Sequence, residues 1–242
     1  MAFFAAMGFL TILPVPASVE RTESRQALYF PLVGLLIGGM AVALDQVCRE
    51  FLFPEIRPVL VVLGLALITG GLHLDGLADA ADGLFSHQDR ERCLQIMRDP
   101  RLGTMGLLTL VFVLAVKLAS VAALPASQAW IWLLAAPGLA RSAQVAGLVF
   151  YDYARPKGEG QSRFFQKHRW DLLGLAWLPL LVPFVAGINE GLLAGFTALG
   201  IAWGFFGYAQ TRLDGLTGDI LGAGSELVET GLLFIGAWVS MH

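Results

Sequence analysis

The sequence is short of charged residues and of cysteine. Only 14% of its 242 residues are Asp, Glu, Lys or Arg, against roughly 25% in an ordinary soluble domain. The formal net charge of −3 offers no basic surface for nucleic acid, and two cysteines are too few for a disulfide framework. The first residues also lack the basic group that begins a signal peptide. These shortages exclude soluble, disordered, nucleic-acid-binding and disulfide-rich proteins.

Long apolar runs take up most of the chain, of which 56% is hydrophobic. A helix that crosses a bilayer needs about 20 mostly apolar residues. Six segments meet or approach this length: 27–47, 58–74, 104–124, 129–150, 172–188 and 191–211. Segments 1–19 and 227–239 are left open as spans, because prolines interrupt the first and the second is short. We therefore predict an all-α polytopic integral membrane helix bundle that forms one membrane-embedded domain over residues 1–242.

The basic residues are distributed unequally between the loops of this arrangement. With eight segments numbered in order, twelve of the 16 Lys and Arg residues fall in loops on one side, whereas only Arg49 and Arg57 fall on the other. Cytoplasmic loops carry the excess of Lys and Arg. We expect the loops 75–103, 151–171 and 212–226 to face the cytoplasm, so that the functional residues lie on that side of the membrane.

An aspartate cluster follows the predicted span 58–74. Asp75, Asp79 and Asp82 stand at positions i, i+4 and i+7, which places them within about a 60° arc of one helical face. Carboxylates so close together repel, and a divalent cation removes that repulsion. Oxygen ligands of this kind suit Mg²⁺ or Mn²⁺. The alternative is a solvated helix end without a ligand.

Histidine and basic residues lie near this cluster. His73 precedes it and is interpreted as a base, a ligand or a polar cap. Arg98, Asp99 and Arg101 stand where the next span begins, and Arg155 lies in a later glycine-containing loop. Arginine binds phosphate oxygens through paired hydrogen bonds, although membrane anchoring by basic loops explains the same residues.

A second acidic stretch comes near the end of the chain. The Asp-Gly-Leu sequence at Asp75 recurs at Asp214, and Asp219 and Glu226 follow seven residues apart on one helical face. This stretch suggests a second acidic wall opposite the first. Asp45 stands alone near the opposite side, and both it and Glu229 are interpreted as structural.

Two basic side chains fall inside predicted spans, where a charge should face the bundle interior or a polar cavity. Lys117 is interpreted as a snorkelling or paired structural residue. Arg141 lies nearer the cytoplasmic end of its span, where it could snorkel to a bound phosphate, with simple snorkelling or pairing as the alternative.

A carboxylate site with arginines beside it fits transfer of a phosphoryl or phosphodiester group. A metal would neutralise pyrophosphate oxygens, arginines would complete the clamp, and a free carboxylate would accept the proton of an attacking hydroxyl. The residues alone do not name the alcohol or the leaving group.

The motifs resemble those of the cobalamin synthase family. The resemblance is carried by four stretches that together cover the chain from end to end: 9–16, 73–83, 97–104 and 215–226. Pro100 departs from the family pattern, in which we expect a small polar residue, and the loop after Tyr153 matches only through Arg155, Pro156, Gly158 and Gly160.

The resemblance implies the last step of nucleotide-loop assembly in cobalamin biosynthesis. Adenosylcobinamide-GDP would be joined to α-ribazole, or to its 5′-phosphate, with release of GMP. The protein would lie in the lipid of a bacterial inner membrane, no nucleic acid would take part, and a homo-oligomer is left open. The implied roles are Mg²⁺ ligation by Asp75, Asp79, Asp82, Asp99 and Asp219, phosphate binding by Arg98, Arg101 and Arg155, and catalysis by Asp82 and His73.

Two other functions compete with this interpretation. A phosphotransferase that uses a CDP-linked lipid alcohol also carries aspartates on membrane helices, but Asp79 follows Ala78 where its Asp-Gly-x-x-Ala-Arg motif would have arginine. A cation or corrinoid transporter predicts acidic residues near mid-membrane, whereas this aspartate cluster begins at the end of an apolar run.

Overall fold

A computed structural model describes residues 1–17, 25–52, 54–155 and 169–241. Within these ranges the regular structure is helical, and a single parallel bridge between Tyr153 and Leu216 is the only β pairing. The α-helices of the described residues are α1 (Ala2–Leu10), α2 (Phe30–Phe51), α3 (Arg57–Ile68), α4 (Leu72–Leu84), α5 (Arg90–Ile96), α6 (Thr104–Ala123), α7 (Ala126–Phe150), α8 (Leu181–Phe184), α9 (Ile188–Leu213) and α10 (Gly218–Met241). Short 3₁₀ helices form at Gln26–Tyr29, Trp170–Leu175 and Leu178–Leu180. The all-α prediction is confirmed for this part of the chain.

Helices α7 and α10 form the centre of the bundle. Helix α7 packs against α2 and α10, and α10 also contacts α4, α6 and α9. Most of α7 and α10 is buried, whereas α6 and α9 expose large apolar side chains such as Phe112, Phe196 and Trp203. An apolar outer surface of this kind is what a bundle surrounded by lipid requires.

Five helical segments are long and apolar enough to cross a membrane: Gln26–Phe51, Thr104–Ala123, Ala126–Phe150, Ile188–Leu213 and Gly218–Met241. The last of them includes residues 227–239, which the sequence left open. The number of candidate spans among the described residues rises to six if α3 and α4 together are counted as one broken span. The chain thus has the helices of a multi-pass membrane protein.

The predicted span 58–74 is interrupted rather than continuous. Helix α3 ends at Ile68, and α4 leaves at an angle of 87° to it. Gly70 and Gly71 lie at the break with φ of +60° and +72°, a left-handed conformation that glycine adopts without steric cost. The break turns the aspartate-bearing helix α4 away from the direction of α3.

The prediction of one continuous helix over 172–188 is wrong. The chain there forms two 3₁₀ helices and the four-residue α8. Pro179 and Pro183 lie within this segment, and each removes a backbone donor that a continuous helix needs. Trp170 contacts Phe150 at the end of α7 with ring centroids 5.3 Å apart, and Pro179 lies against Gly138 in the middle of α7. The apolar segment therefore runs along α7 in short pieces.

The N-terminal segment 1–19 contains only the nine-residue helix α1. After α1 the backbone amide of Ile12 donates to the carbonyl oxygen of Ile68, at 2.9 Å. This bond ties the N-terminal segment to the break between α3 and α4. Residues 18 and 19 lie outside the described ranges.

Asp45 is not alone, contrary to the sequence interpretation. Its carboxylate accepts hydrogen bonds from Arg49, at 2.7 Å, and from Arg57. Arg57 also donates to the carbonyl oxygen of Val121, and Arg49 donates to that of Leu124. These arginines satisfy carbonyl groups at the C-terminal end of α6, where a helix leaves its last acceptors without partners. The group is structural and lies at the end of the bundle opposite the aspartates.

Candidate functional site

Helix α4 presents the three aspartates as its spacing predicted. Asp75 is exposed, and Asp79 and Asp82 are half-buried, whereas the glycine and alanine residues between them are mostly buried. These small residues let the other face of α4 lie close to its neighbours, so the carboxylates point away from the packed face. Charge on Asp79 interacts with the charges of Asp75 and Asp82.

Asp219 faces this cluster from the first turn of α10. A Cβ atom on Gly76 would lie 3.0 Å from the carbonyl oxygen of Asp219 and 3.1 Å from its Cα, so α4 and α10 approach closely where each carries a carboxylate. The charge of Asp219 also acts on Asp79. Asp219 therefore lies opposite the aspartates of α4, as predicted for the second acidic stretch. Glu226, its other predicted member, turns towards Lys117 instead.

Arg155 lies beside these carboxylates. Its guanidinium donates to Oδ2 of Asp219 at 3.0 Å, and the Thr217 hydroxyl lies 3.2 Å from the same oxygen. The backbone before Arg155 is held by two hydrogen bonds: Ala154 N–H to Leu216 O at 2.9 Å, and Leu216 N–H to Asp152 O at 2.8 Å. The short bridge therefore brings a cation to the acidic site. Residues 156–168, which include Gly158 and Gly160, lie outside the described ranges.

Asp82 contacts the start of α6. Its Oδ2 accepts from the backbone N–H of Gly103 at 2.7 Å, and its Oδ1 accepts from that of Gly106 at 2.8 Å. These amides are among the donors that the first turn of a helix leaves without partners. A carboxylate there also interacts favourably with the helix dipole. Asp82 thus caps α6 from a different helix, a contact that the sequence did not indicate.

The loop between α5 and α6 is exposed. Arg101 donates two side-chain hydrogen bonds to Asp99, at 2.9 and 2.6 Å, and its side chain is 86% exposed. The hydrogen bonds from Arg101 lower the pKa of Asp99 to about 2. Asp99 and Arg101 therefore form a pair at the surface, separate from the contacts of Asp75, Asp79 and Asp219.

An open pocket of about 570 Å³ separates this loop from the loop that holds Arg155. Its lining includes the arginines Arg90, Arg98 and Arg155, together with Tyr153 and Asp214. Arg90 donates to the carbonyl oxygens of Leu213, at 2.7 Å, and Ala154, at 2.6 Å, and so joins α5 to the end of α9 and to the Arg155 loop. From the sequence, Arg90 has no predicted role beyond membrane topology, because both of its acceptors are distant backbone atoms.

His73 belongs to a buried polar network rather than to the open site. It is 2% exposed, and its Nδ1 lies 3.2 Å from Nη2 of Arg141. Arg141 also donates to Glu229, and Lys117 donates to Glu226 at 2.5 Å and to Glu229 at 2.7 Å. Pairing of Lys117 is confirmed. Of the two alternatives for Arg141, the structure shows pairing inside the bundle, with Glu229 as the partner.

One signal in the sequence could have identified these partners. Lys117 and Arg141 are two cations in apolar segments, and Glu226 and Glu229 are two anions in another. Charges within a membrane normally pair with one another, so equal numbers of buried cations and anions favour a neutral group.

A divalent cation needs oxygen ligands within reach of one another. Among the described residues, no group of three or more His, Cys, Asp or Glu side chains is gathered closely enough to hold a metal by itself. Mg²⁺ usually keeps several waters and binds one or two carboxylates together with substrate phosphates. The carboxylates of Asp75, Asp79 and Asp219 are compatible with such a partial site, because their charges interact across α4 and α10.

Known proteins resemble this chain over nearly its whole length. The family model described as cobalamin-5-phosphate synthase matches residues 2–237. A protein of Klebsiella pneumoniae subsp. pneumoniae named adenosylcobinamide-GDP ribazoletransferase is 40% identical, with 97% of each chain covered. Proteins of the same name from Chlorobaculum parvum and Roseiflexus sp. are 37% and 38% identical, covering 96% and 93% of this chain and 93% and 84% of their own. No solved structure matches the chain.

Proposed function

The chain belongs to the cobalamin-5-phosphate synthase family, and we propose that the carboxylates of α4 and α10 form the centre at which it transfers a phosphate-linked group. The family activity is adenosylcobinamide-GDP ribazoletransferase, the final step of nucleotide-loop assembly in cobalamin biosynthesis. The observation that carries the proposal is the approach of α4 to α10 at Gly76 and Asp219, which puts three carboxylates and Arg155 together.

The reaction breaks the phosphoanhydride bond of a pyrophosphate and forms a phosphodiester. A ribose hydroxyl of α-ribazole, or of its 5′-phosphate, attacks the phosphorus atom attached to adenosylcobinamide. A bond forms between that oxygen and the phosphorus, and the bond from the phosphorus to the oxygen bridging to GMP breaks. GMP leaves with that oxygen, and the proton of the attacking hydroxyl passes to a carboxylate of the site.

We propose Mg²⁺ as the metal that completes the site. Asp75, Asp79 and Asp219 would hold it from one side, and pyrophosphate oxygens and water would provide its remaining ligands. When bound, the ion neutralises negative charge on the transferred group and on the leaving phosphate. Asp99 is the weakest of the proposed ligands, because its oxygens accept hydrogen bonds from Arg101 in the exposed loop.

The proposed phosphate ligands are Arg155, Arg98 and Arg101. Arg155 is the best placed of them, because it already contacts Asp219 beside the proposed metal. Arg98 lines the adjoining pocket with Arg90. Arg101 reaches a phosphate only by leaving Asp99, with which it is paired in the structure.

Asp82 is the proposed proton acceptor. Each carboxylate oxygen can accept more than one hydrogen bond, so Asp82 can take a proton while it holds the start of α6. His73 is less suited to proton transfer with substrate, because it is buried and its Nδ1 faces Arg141. We propose that His73 instead positions the first turn of α4.

We propose that the end of the bundle with Asp75 and Asp219 faces the cytoplasm of a bacterial inner membrane. Arg90, Arg98 and Arg155 lie at this end, whereas Arg49 and Arg57 lie at the other. The cytoplasmic side of a membrane protein carries the excess of basic residues. This orientation would leave the site open to two water-soluble substrates.

The activity can be tested with detergent-purified protein, adenosylcobinamide-GDP, α-ribazole and Mg²⁺, with chromatography of the corrinoid and guanine nucleotides. We expect corrinoid product and GMP in equal amounts, loss of both with EDTA, and recovery on addition of Mg²⁺. CDP-diacylglycerol with a lipid alcohol acceptor should give no CMP. Folded protein that forms no corrinoid product would contradict the function, and turnover indifferent to EDTA would contradict the metal proposal alone.

A further inference from the structure

A small cavity lies beside the carboxylates on the inner side of the site. Its volume is about 60 Å³, and Asp75, Asp219, His73 and Gln144 contribute its polar lining. Phe9 and Phe30 form an apolar wall, with ring planes 12° apart and centroids 5.7 Å apart. About 10–15 Å³ of such space is enough for one water molecule, so the cavity has room for a small polar group such as a hydroxyl.

Gln144 is the unexplained residue of this cavity. It lies on α7, three residues after Arg141, and is 4% exposed. Its Oε1 has no hydrogen-bond partner among the described residues. Leaving a buried polar atom without a partner costs about 1–3 kcal/mol, and a donor that reached Oε1 from the cavity would remove this cost.

The other polar groups of the cavity define what that donor can be. Asp75 and Asp219 are acceptors, and the Nδ1 of His73 is engaged by Arg141. Because arginine can only donate, this contact makes Nδ1 an acceptor and leaves the hydrogen of the neutral imidazole on Nε2. The lining thus offers several acceptors together with the N–H groups of His73 and Gln144, a combination that matches a neutral hydroxyl group, which both donates and accepts. The oxygens of a phosphate ester have no hydrogen to donate to Oε1 of Gln144.

We propose that this cavity receives a ribose hydroxyl of the acceptor nucleoside, with Gln144 as its hydrogen-bond partner. The inference depends on the proposed function, because it assigns the acceptor side of the same site. The sugar hydroxyl enters between Gln144 and the carboxylates, while the aromatic base stays outside the cavity near the apolar wall. Gln144 is then a specificity-determining residue for the nucleoside, and adenosylcobinamide-GDP binds without it.

The test replaces Gln144 by Leu, which has a similar volume and no amide. In purified full-length protein, Gln144→Leu should raise the KM for α-ribazole roughly five- to tenfold, the effect of one lost hydrogen bond. The KM for adenosylcobinamide-GDP should change less than about twofold on the same reasoning. Gln128→Leu is the matched control, because Gln128 lies on the same helix and its amide oxygen already accepts from Ser240, at 2.6 Å.

Thermal unfolding gives a second readout that does not require turnover. A ligand that binds only the folded protein raises its Tm, so α-ribazole should raise the Tm of the parent protein and of Gln128→Leu but not that of Gln144→Leu. Without ligand, Gln144→Leu should be at least as stable as the parent, since it removes a buried atom that lacks a partner.

Three results would overturn the inference or separate it from the proposed function. An unchanged KM and an unchanged Tm shift in Gln144→Leu would mean that the cavity holds water only. If that variant does not fold, Gln144→Asn, which shortens the side chain, must show the same rise in KM or the inference is wrong. If the parent protein forms no corrinoid product, the transferase proposal fails, and the Tm shift still decides whether the cavity binds the nucleoside.

Discussion

Lys117 on α6 and Arg141 on α7 share the carboxylate of Glu229, which lies on α10. The ammonium group of Lys117 lies 2.7 Å from Oε1, and the guanidinium of Arg141 donates to Oε2. With Glu226 the group contains two cations and two anions, and its last member, His73, lies two residues before Asp75. A neutral buried network therefore connects the centre of the bundle to the helix that carries the aspartates.

Removing one member of this network should destabilise the protein strongly. Lys117→Met leaves Glu226 with no cation and Glu229 with only Arg141, and breaking a buried pair costs about 3–5 kcal/mol. We expect a large fall in Tm in detergent. Arg92→Met, which removes an exposed cation on α5, should leave Tm nearly unchanged. Equal stability of the two variants would show that the network contributes little.

The approach of α4 to α10 predicts that a side chain at position 76 pushes the two helices apart by a few tenths of an ångström. A Cβ at this position meets the backbone of Asp219 at 3.0 Å, so Gly76→Ala should separate the helices and lower kcat by at least about tenfold, since misplacement by about 1 Å can cost a hundredfold. Gly39→Ala on α2 is the control, because nothing lies within 4 Å of its Cβ position. Full activity in Gly76→Ala would argue against a site shared by the two helices.

Asp82 should show two separable effects. Asp82→Ala leaves the amides of Gly103 and Gly106 without their acceptor and should cost about 1–2 kcal/mol of stability, as loss of a helix cap does. Asp82→Asn keeps one acceptor oxygen and should lose less stability, yet it cannot take a proton and should lose most of its turnover. Tm and kcat measured on both variants test this. Normal turnover in folded Asp82→Asn would exclude Asp82 as the base.

Arg155 should affect the phosphate substrate rather than the nucleoside. Arg155→Gln removes the cation beside Asp219, and a charge-assisted hydrogen bond is worth about 1.5–3 kcal/mol. We expect the KM for adenosylcobinamide-GDP to rise by roughly tenfold or more, on the same principle, while the KM for α-ribazole changes little. Arg169→Gln, which removes an exposed arginine paired with Asp171, is the control. A rise confined to the KM for α-ribazole would contradict this prediction, because it would show that Arg155 binds the nucleoside and not adenosylcobinamide-GDP.

Local patterns in the sequence predict the parts of this structure that depend on helical periodicity. The spacing of Asp75, Asp79 and Asp82 was enough to place them on one face, and the apolar runs marked the long helices. The break at Gly70 and Gly71 was not predicted, because an apolar run looks the same whether it continues or bends. Pro179 and Pro183 are visible in the sequence, but hydrophobicity alone does not show that they divide the segment 172–188 into short helices.

Contacts between distant segments were beyond such patterns. Asp82 binds backbone amides more than 20 residues away, and Arg90 binds carbonyl oxygens of Ala154 and Leu213. Nearly every residue carries the same backbone N–H and C=O groups, so the sequence does not show which of them a side chain will bind. These hydrogen bonds can be identified only from the folded structure. The recurrence of Asp-Gly-Leu at Asp214 indicated a second acidic stretch that includes Asp219. It did not show that Asp219 would face the aspartates of α4 whereas Glu226 would pair with Lys117.

The most direct test of the carboxylate centre is the Mg²⁺ dependence of the initial rate in Asp79→Asn and Asp219→Asn. Asp89→Asn is the control, since Asp89 only caps α5 and asparagine caps a helix equally well. We predict that both site variants fold, lose about 10²-fold or more in kcat, and need more Mg²⁺ for half-maximal rate, while the control behaves as the parent protein. Parental rates and Mg²⁺ dependence in both site variants would contradict the account.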